Sequence, residues 1–173
     1  MRYEEKIRTI SNYPKPGIMF KDITPLILDG YLLRKAVREM TDKFRNRRID
    51  KVVGAESRGF IFGALVAYEL GVGFVPVRKK GKLPYEVISG SYEKEYGLDY
   101  IEMHKDAISK GDNVLIVDDL IATGGTVEAM IKMIESLGGK IEGMCFLIEL
   151  DFLNPREKFK GYDIHSLIHY DKE

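Results

Sequence analysis

Cysteine is almost missing from this 173-residue chain. Cys145 stands alone, so an internal disulfide is excluded and a cytoplasmic, reducing compartment is expected. Nothing basic neighbours it in its apolar run, which marks a packing residue, not a nucleophile. No apolar run reaches the ~18 residues that a membrane span needs. The first ten residues are charged and lack an apolar h-region, so no secretory signal is expected. Neither sign of charge is in surplus, because 27 Lys plus Arg balance 27 Asp plus Glu. Without a bulk field, neither nucleic acid nor a membrane surface is an expected partner. His104, His165 and His169 have no metal-ligand spacing among them and read as structural or surface residues. Two phosphate signatures are missing as well. There is no G-x-x-x-x-G-K-[ST], and no G-x-G-x-x-G follows a strand.

What is present is a globular composition, 45% hydrophobic and 31% charged, in a length suited to one domain over residues 1–173. The chain is organised around residues 114–126, Val-Leu-Ile-Val-Asp-Asp-Leu-Ile-Ala-Thr-Gly-Gly-Thr. Four aliphatic residues in a row predict a strand buried on both faces, ended by the two carboxylates. Val127, Met130, Ile131, Ile134 and Leu137 then recur at helical spacing, Glu128 and Lys132 form an i,i+4 pair, and Gly138-Gly139 stops the helix. Strand, small-residue loop and helix together make a phosphate cradle. Gly124 and Gly125 permit positive φ and close backbone approach. The free N–H groups and dipole of the first helical turn favour a dianion. Asp118 and Asp119 would repel phosphate, but they suit ribose hydroxyls, a cation or a positively charged transition state. The ligand so described is a phosphorylated sugar.

Around this centre the chain reads as alternating strands and helices. Residues 2–10 suggest a short helix, and 12–26, with three prolines, a fixed non-regular segment. Phe20 in that segment either forms half of a flat base slot or packs into the core or an interface. A helix is expected over 31–48, closed by Arg45, Arg47 and Arg48 as a solvated terminus. A strand over 51–55, a helix over 61–70 and a strand over 74–77 follow. Arg58 at a strand-helix junction either reaches an anionic ligand or forms a surface pair. The run Arg78-Lys79-Lys80-Gly81-Lys82 leaves a buried strand at the sheet edge that carries the phosphate loop, which makes a pyrophosphate site credible. Residues 83–105 break the rhythm as a hairpin, with strands 87–92 and 99–104 and a polar tip. Further strands are expected over 141–150 and 164–170.

The 114–126 run resembles the PRPP-binding signature of the type I phosphoribosyltransferases. Pro-Gly-Ile-Met-Phe-Lys-Asp-Ile-Thr-Pro-Leu near the N-terminus, Glu-Ser-Arg-Gly-Phe-Ile-Phe-Gly from Glu56 and Val-Arg-Lys-Lys-Gly-Lys-Leu-Pro from Val77 resemble the adenine branch of that superfamily, as do Glu-Tyr-Gly at 95–97 and Ile-Glu-Leu at 148–150. The resemblance implies an α/β fold: a mostly parallel twisted sheet flanked by helices, with a flexible β-hairpin flap (83–105) and a small N-terminal hood (1–30). It implies a purine-salvage reaction in which adenine and 5-phosphoribosyl 1-pyrophosphate (PRPP) give AMP and pyrophosphate.

The site residues follow from the same resemblance. Phe20 and Leu150 would sandwich the base, and backbone groups of Met19 and Lys21 would read its edge. Arg58, Arg78, Lys79 and Lys82 would meet the pyrophosphate, Asp118 and Asp119 the ribose hydroxyls, and Ala122, Thr123, Gly124, Gly125 and Thr126 the 5-phosphate. Glu95 and Tyr96 would close over the reacting centre, Glu95 managing the purine proton. Glu95, Asp118, Asp119 and Arg58 would be the catalytic set. Mg²⁺ would be bound mainly through the pyrophosphate and water, without a dedicated protein site, and a homodimer is implied. Two alternatives stay open: a hypoxanthine-guanine or xanthine enzyme, and a PRPP-sensing regulator. The regulator would need an effector part, for which the residues before Lys51 leave little room.

Overall fold

The aliphatic run 114–117 has no polar face to offer water, so both its faces must be covered. The computed structural model, which describes residues 2–94 and 97–172, covers both. In chain order the elements are β1 (Arg8–Ser11), β2 (Met19–Asp22), α1 (Thr24–Ile27), α2 (Gly30–Asp42), β3 (Lys51–Ala55), α3 (Arg58–Leu70), β4 (Gly73–Lys79), β5 (Val87–Lys94), β6 (Gly97–His104), β7 (Asn113–Ile121), α4 (Gly125–Ser136), β8 (Lys140–Leu150), α5 (Pro155–Lys158) and β9 (Ile164–Tyr170). Among the described residues the main sheet has seven strands in the order β5-β6-β4-β3-β7-β8-β9. The five from β4 to β9 are mutually parallel, and the β5–β6 hairpin joins them antiparallel through Arg78↔Glu102 and Lys79↔Ile101. This is the mostly parallel, helix-flanked α/β sheet expected.

Side-chain alternation on the central strands divides the core in two. Leu115, Val117, Cys145 and Leu147 face the layer built by α2 and α3, together with Ile23 and Leu26 from the N-terminal segment. Val114, Ile116, Met144 and Phe146 face Val127, Met130 and Ile134 of α4. Helix α2 buries Leu32, Ala36, Val37 and Met40 at helical spacing and is N-capped by Asp29, whose carboxylate accepts from the amides of Tyr31 and Leu32. Helix α3 ends on Gly71 in the left-handed region, as its sequence demands.

Several local expectations are corrected. Residues 2–10 hold one 3-10 turn, Tyr3–Lys6, and then β1, because Arg8–Ser11 pairs antiparallel with Met19–Asp22. Strand pairing there outweighs a weak helical period. The segment 12–26 is accordingly part strand and part helix, and Ile23 is buried while Phe20 stays half-exposed. Helix α2 stops at Asp42, and Arg47 turns inward to Asp163 and the Glu142 carbonyl, so it is a tertiary tie and not a solvated terminus. Helix α3 starts at Arg58, three residues before the expected 61, placing Arg58 on its first turn. The carboxylates do not end β7, which runs on to Ile121. The hairpin strands are longer than expected, in register from Val87↔His104 to Lys94↔Gly97. They pack on α4, where a side chain at Gly90 would meet the Ala129 carbonyl at 3.2 Å.

Candidate active site

At the carboxyl edge of β7 the chain turns through residues 122–124 into α4. Gly124 has φ +79° and caps the helix. Positive φ is one reason for glycine there, and packing is another. A Cβ on Gly124 would lie 2.5 Å from Cε2 of the buried Phe159 ring, and one on Gly125 3.2 Å from Cδ2 of Tyr92. The loop is thus gripped by the C-terminal segment on one side and by the hairpin on the other. Residues 122–127 line an open cleft of about 660 Å³ with Pro14, Lys15 and Ile18 of the N-terminal segment, Tyr92 and Glu93 of β5, and Asp118. That volume suits a nucleotide-sized ligand.

Because β7 continues past the acid pair, Asp118 and Asp119 point to opposite faces. Asp118 lines the cleft, and its carboxylate crowds Gly59, where a Cβ would be 2.5 Å from Oδ1. Asp119 is 5% exposed and does not line the cleft; its Oδ2 lies 2.9 Å from Arg58 Nε. That contact is an ion pair without hydrogen-bond alignment. The Asp119 amide donates to Asp118 Oδ1 at 2.8 Å. Burial, and then the adjacent Asp119 charge, push the Asp118 carboxyl well above the usual range. Burial also raises Asp119, against the pull of Arg58. A pair that resists double ionisation is one that an incoming cationic ring or hydroxyl donors would stabilise.

Arg58 ties the site to the hood. Its guanidinium lies 4.8 Å over the Phe20 ring and donates to the Lys21 carbonyl at 3.4 Å, while Nε faces Asp119. Phe20 is half-exposed and meets Tyr13 edge-on at 5.1 Å. The Lys21 side chain is 5% exposed and internal, with Nζ 3.2 Å from Thr9 Oγ1 and 4.4 Å from the Tyr170 ring. Met19 is half-buried in β2, and Leu150, at the end of β8, packs against the α2–α3 core.

Arg78, Lys79 and Lys82 are not among the cleft-lining residues; they gather about Glu56. Its Oε1 accepts from the Lys79 amide at 2.6 Å, and its Oε2 lies 3.3 Å from Arg78 Nη2 and 3.7 Å from Lys82 Nζ. Although burial opposes ionisation, the Lys79 amide, Arg78 and Lys82 hold this carboxyl below its usual range. Glu95 and Tyr96 lie outside the described residues.

Of the residues singled out in sequence, 122–126 and Asp118 line the cleft; Tyr92, Glu93, Pro14, Lys15 and Ile18 line it too, with Phe159 in support, and were not assigned to it. The glycines at 124 and 125 signal two of these alone, because the rings of Phe159 and Tyr92 lie where a Cβ would otherwise go. The histidine reading needs one addition. Glu149, Asp151 and His169 bring ligand atoms within 4.8 Å of one another. Glu149 is nonetheless paired with Arg156 through Nε and Nη2, at 2.7 and 2.8 Å, and His169 Nδ1 lies 3.0 Å from Asp151 Oδ1, so these groups already serve one another.

Comparison with known proteins gives the family. Residues 26–163 match the phosphoribosyl transferase domain model. The adenine phosphoribosyltransferase of Clostridium botulinum (strain Loch Maree / Type A3) is 53% identical over 171 residues, covering 99% of both chains. The crystal structure of adenine phosphoribosyltransferase from Thermoanaerobacter pseudethanolicus superposes with a TM-score of 0.94 at 51% identity, covering 97% of this chain and 98% of that one. The enzyme from Giardia lamblia, solved with 9-deazaadenine, gives 0.92 at 39% identity over 99% of each. Matched along its length in sequence and in fold, the chain belongs to the adenine phosphoribosyltransferases of the phosphoribosyl transferase domain family.

Proposed function

We propose that the protein transfers the phosphoribosyl group of PRPP to adenine, releasing AMP and pyrophosphate. The observation that carries this reading is one cleft lined by the phosphate loop, the hood and the hairpin, in a chain matched end to end by adenine enzymes. The 5-phosphate is received by the amides of 122–126 and the hydroxyls of Thr123 and Thr126, at the N-terminus of α4. Asp118 faces the ribose. As the bond from the anomeric carbon to the pyrophosphate oxygen breaks, the ring becomes cation-like, and the Asp118 carboxylate, raised in pKa when empty, is favoured in its charged form by that developing charge. Asp119 acts from behind by holding Arg58. The purine ring nitrogen forms the new bond to the anomeric carbon, its proton leaves, and Glu95 is the group assigned to receive it. Phe20 supplies one face of the base slot and Leu150 the other, with the Met19 and Lys21 backbone at the purine edge. Arg58, Arg78, Lys79 and Lys82 neutralise the leaving pyrophosphate, and Tyr96 closes with Glu95.

Mg²⁺ fits as a cation carried mainly by the substrate's own oxygens, in a cleft whose lining carries the carboxylates of Asp118 and Glu93. When bound it supplies charge neutralisation to the departing pyrophosphate.

Residues 1–173 are proposed to act as one domain. In support, hood residues Ile23 and Leu26 share the α2–α3 core, and β6 of the hairpin pairs with β4. A homodimer is supported by the apolar face that α3 leaves open at Leu65 and Tyr68, the latter 82% exposed. No described helix is long and apolar enough to cross a membrane. A cytoplasmic location is supported by Cys145, a free buried thiol with no cysteine partner in the sequence.

The test is pyrophosphate release from PRPP and Mg²⁺ with each purine base in turn. Release with adenine alone is expected. Release with hypoxanthine or guanine instead would overturn the hood assignment, and binding of PRPP without release would make the chain a sensor.

A further inference from the structure

We propose that Glu56 is an internal stand-in for pyrophosphate: its carboxylate occupies the donors of the basic loop in the empty enzyme and helps expel the product. The inference rests on the reading of residues 78–82 as the pyrophosphate site. Glu56 follows directly on β3 at the carboxyl edge of the sheet, and its side chain is 13% exposed. One oxygen takes the Lys79 amide at 2.6 Å; the other faces Arg78 Nη2 at 3.3 Å and Lys82 Nζ at 3.7 Å. A backbone amide, a guanidinium and an ammonium converging on one oxyanion are the donor set that a phosphate group selects.

The loop is held in place independently of this charge. Arg78 Nη1 donates to the Lys82 carbonyl at 3.3 Å, and the Gly81 amide donates to Glu102 Oε2 at 2.8 Å from β6. Glu102 is itself 6% exposed and fixed in the sheet. The loop therefore keeps its shape when its ligand changes, and the Glu56 carboxylate competes with an arriving phosphate for the same donors. Competition has a definite sign. An occupied anion site binds pyrophosphate more weakly than a neutral one, and it releases it faster.

Replacing Glu56 with glutamine separates charge from shape, since the glutamine oxygen still accepts from the Lys79 amide while the charge is gone. The inhibition constant of pyrophosphate against PRPP, the PRPP KM and kcat are measured for wild type, E56Q and R78A with adenine in excess. E56Q is expected to tighten pyrophosphate inhibition and lower the PRPP KM by roughly three- to tenfold, with kcat lowered where product release limits turnover. R78A is expected to move both constants the other way. If E56Q weakens pyrophosphate, Glu56 is an ordinary structural tie and the proposal is overturned; if E56Q changes neither constant while R78A does, it is overturned as well. If R78A also changes nothing, the fault lies with the placement of pyrophosphate on this loop. E56A removes the competing charge as well and is expected to move both constants in the same direction as E56Q; a PRPP KM raised in E56A would make Glu56 a structural tie and overturn the proposal.

Discussion

At the scale of single residues, the acid pair shows how a period of two separates neighbours with the same chemistry. Asp118 opens to the cleft while Asp119 turns to Arg58, although nothing in the dipeptide distinguishes them. Asp118→Asn is expected to cost about 10²–10³ in kcat and yet to stabilise the fold. A carboxyl whose pKa is raised on folding binds more protons folded than unfolded, so its cost to stability appears above the unfolded-state value and grows as pH rises through the folded one. Asparagine removes that cost. Thermal unfolding should show D118N above wild type at neutral pH, with the difference shrinking toward pH 4; each ~1 kcal/mol corresponds to about 2–4 °C in a chain of this size. Phe20→Ala is expected to raise the adenine KM by roughly 10- to 100-fold, from the loss of one stacking face, and to leave the PRPP KM near its wild-type value. Steady-state kinetics with each substrate varied would check that split.

At the scale of elements, the 122–126 loop, the proposed phosphate cradle, depends on two rings from distant parts of the chain. Gly124→Ala combines backbone strain of about 1–2 kcal/mol with a collision against Phe159, and is expected to abolish measurable PRPP binding. Phe159→Ala leaves Gly124 free to wander, so the PRPP KM should rise while the adenine KM stays. Adding F159A to G124A should recover part of the lost stability by removing the collision, but not the strain. A double-mutant cycle by thermal unfolding reads that coupling. The hairpin is a flap by resemblance. In the structure it is also the edge of the main sheet and a cover for α4 through Gly90 and Tyr92. The sequence showed its polar tip and alternation, but not where its face would dock, because docking depends on Ala129 and Met133 some forty residues away.

At the scale of the whole molecule, the C-terminal segment is tied back to the sheet by one buried carboxylate. Glu149 is 1% exposed, and burial alone would raise its pKa, but Arg156, with smaller contributions from Ser166 and His169, holds it below its usual range. Arg156→Met removes the partner and leaves a buried charge. Urea unfolding at pH 7 should lose about 1–3 kcal/mol. The wild-type ion pair stabilises above the unfolded-state pKa of Glu149 and is lost as pH falls through the lowered folded value, so the gap between wild type and R156M should narrow in acid. The proposed dimer makes a separate prediction. Leu65→Glu with Tyr68→Glu should halve the mass seen by light scattering if α3 forms the interface, and a mass unchanged by the pair would place the contact elsewhere.

The sequence alone determined the sheet class, the strands 51–55 and 164–170 to the residue, the turn at 122–124, and the helix that follows it. Each of those rests on neighbours in the chain: aliphatic runs that must be buried, a glycine that must take positive φ, a 3.6-residue period. Tertiary structure decided what the sequence left ambiguous. It turned residues 8–11 into a strand by giving them a partner at 19–22, drew Arg47 in to Asp163, set Arg58 against Asp119 and Phe20, and filled the space beside Gly124 with Phe159. In each of these the deciding group lies far along the chain. Local propensity carries no information about such a partner, and only the closed sheet brings it within a few ångströms.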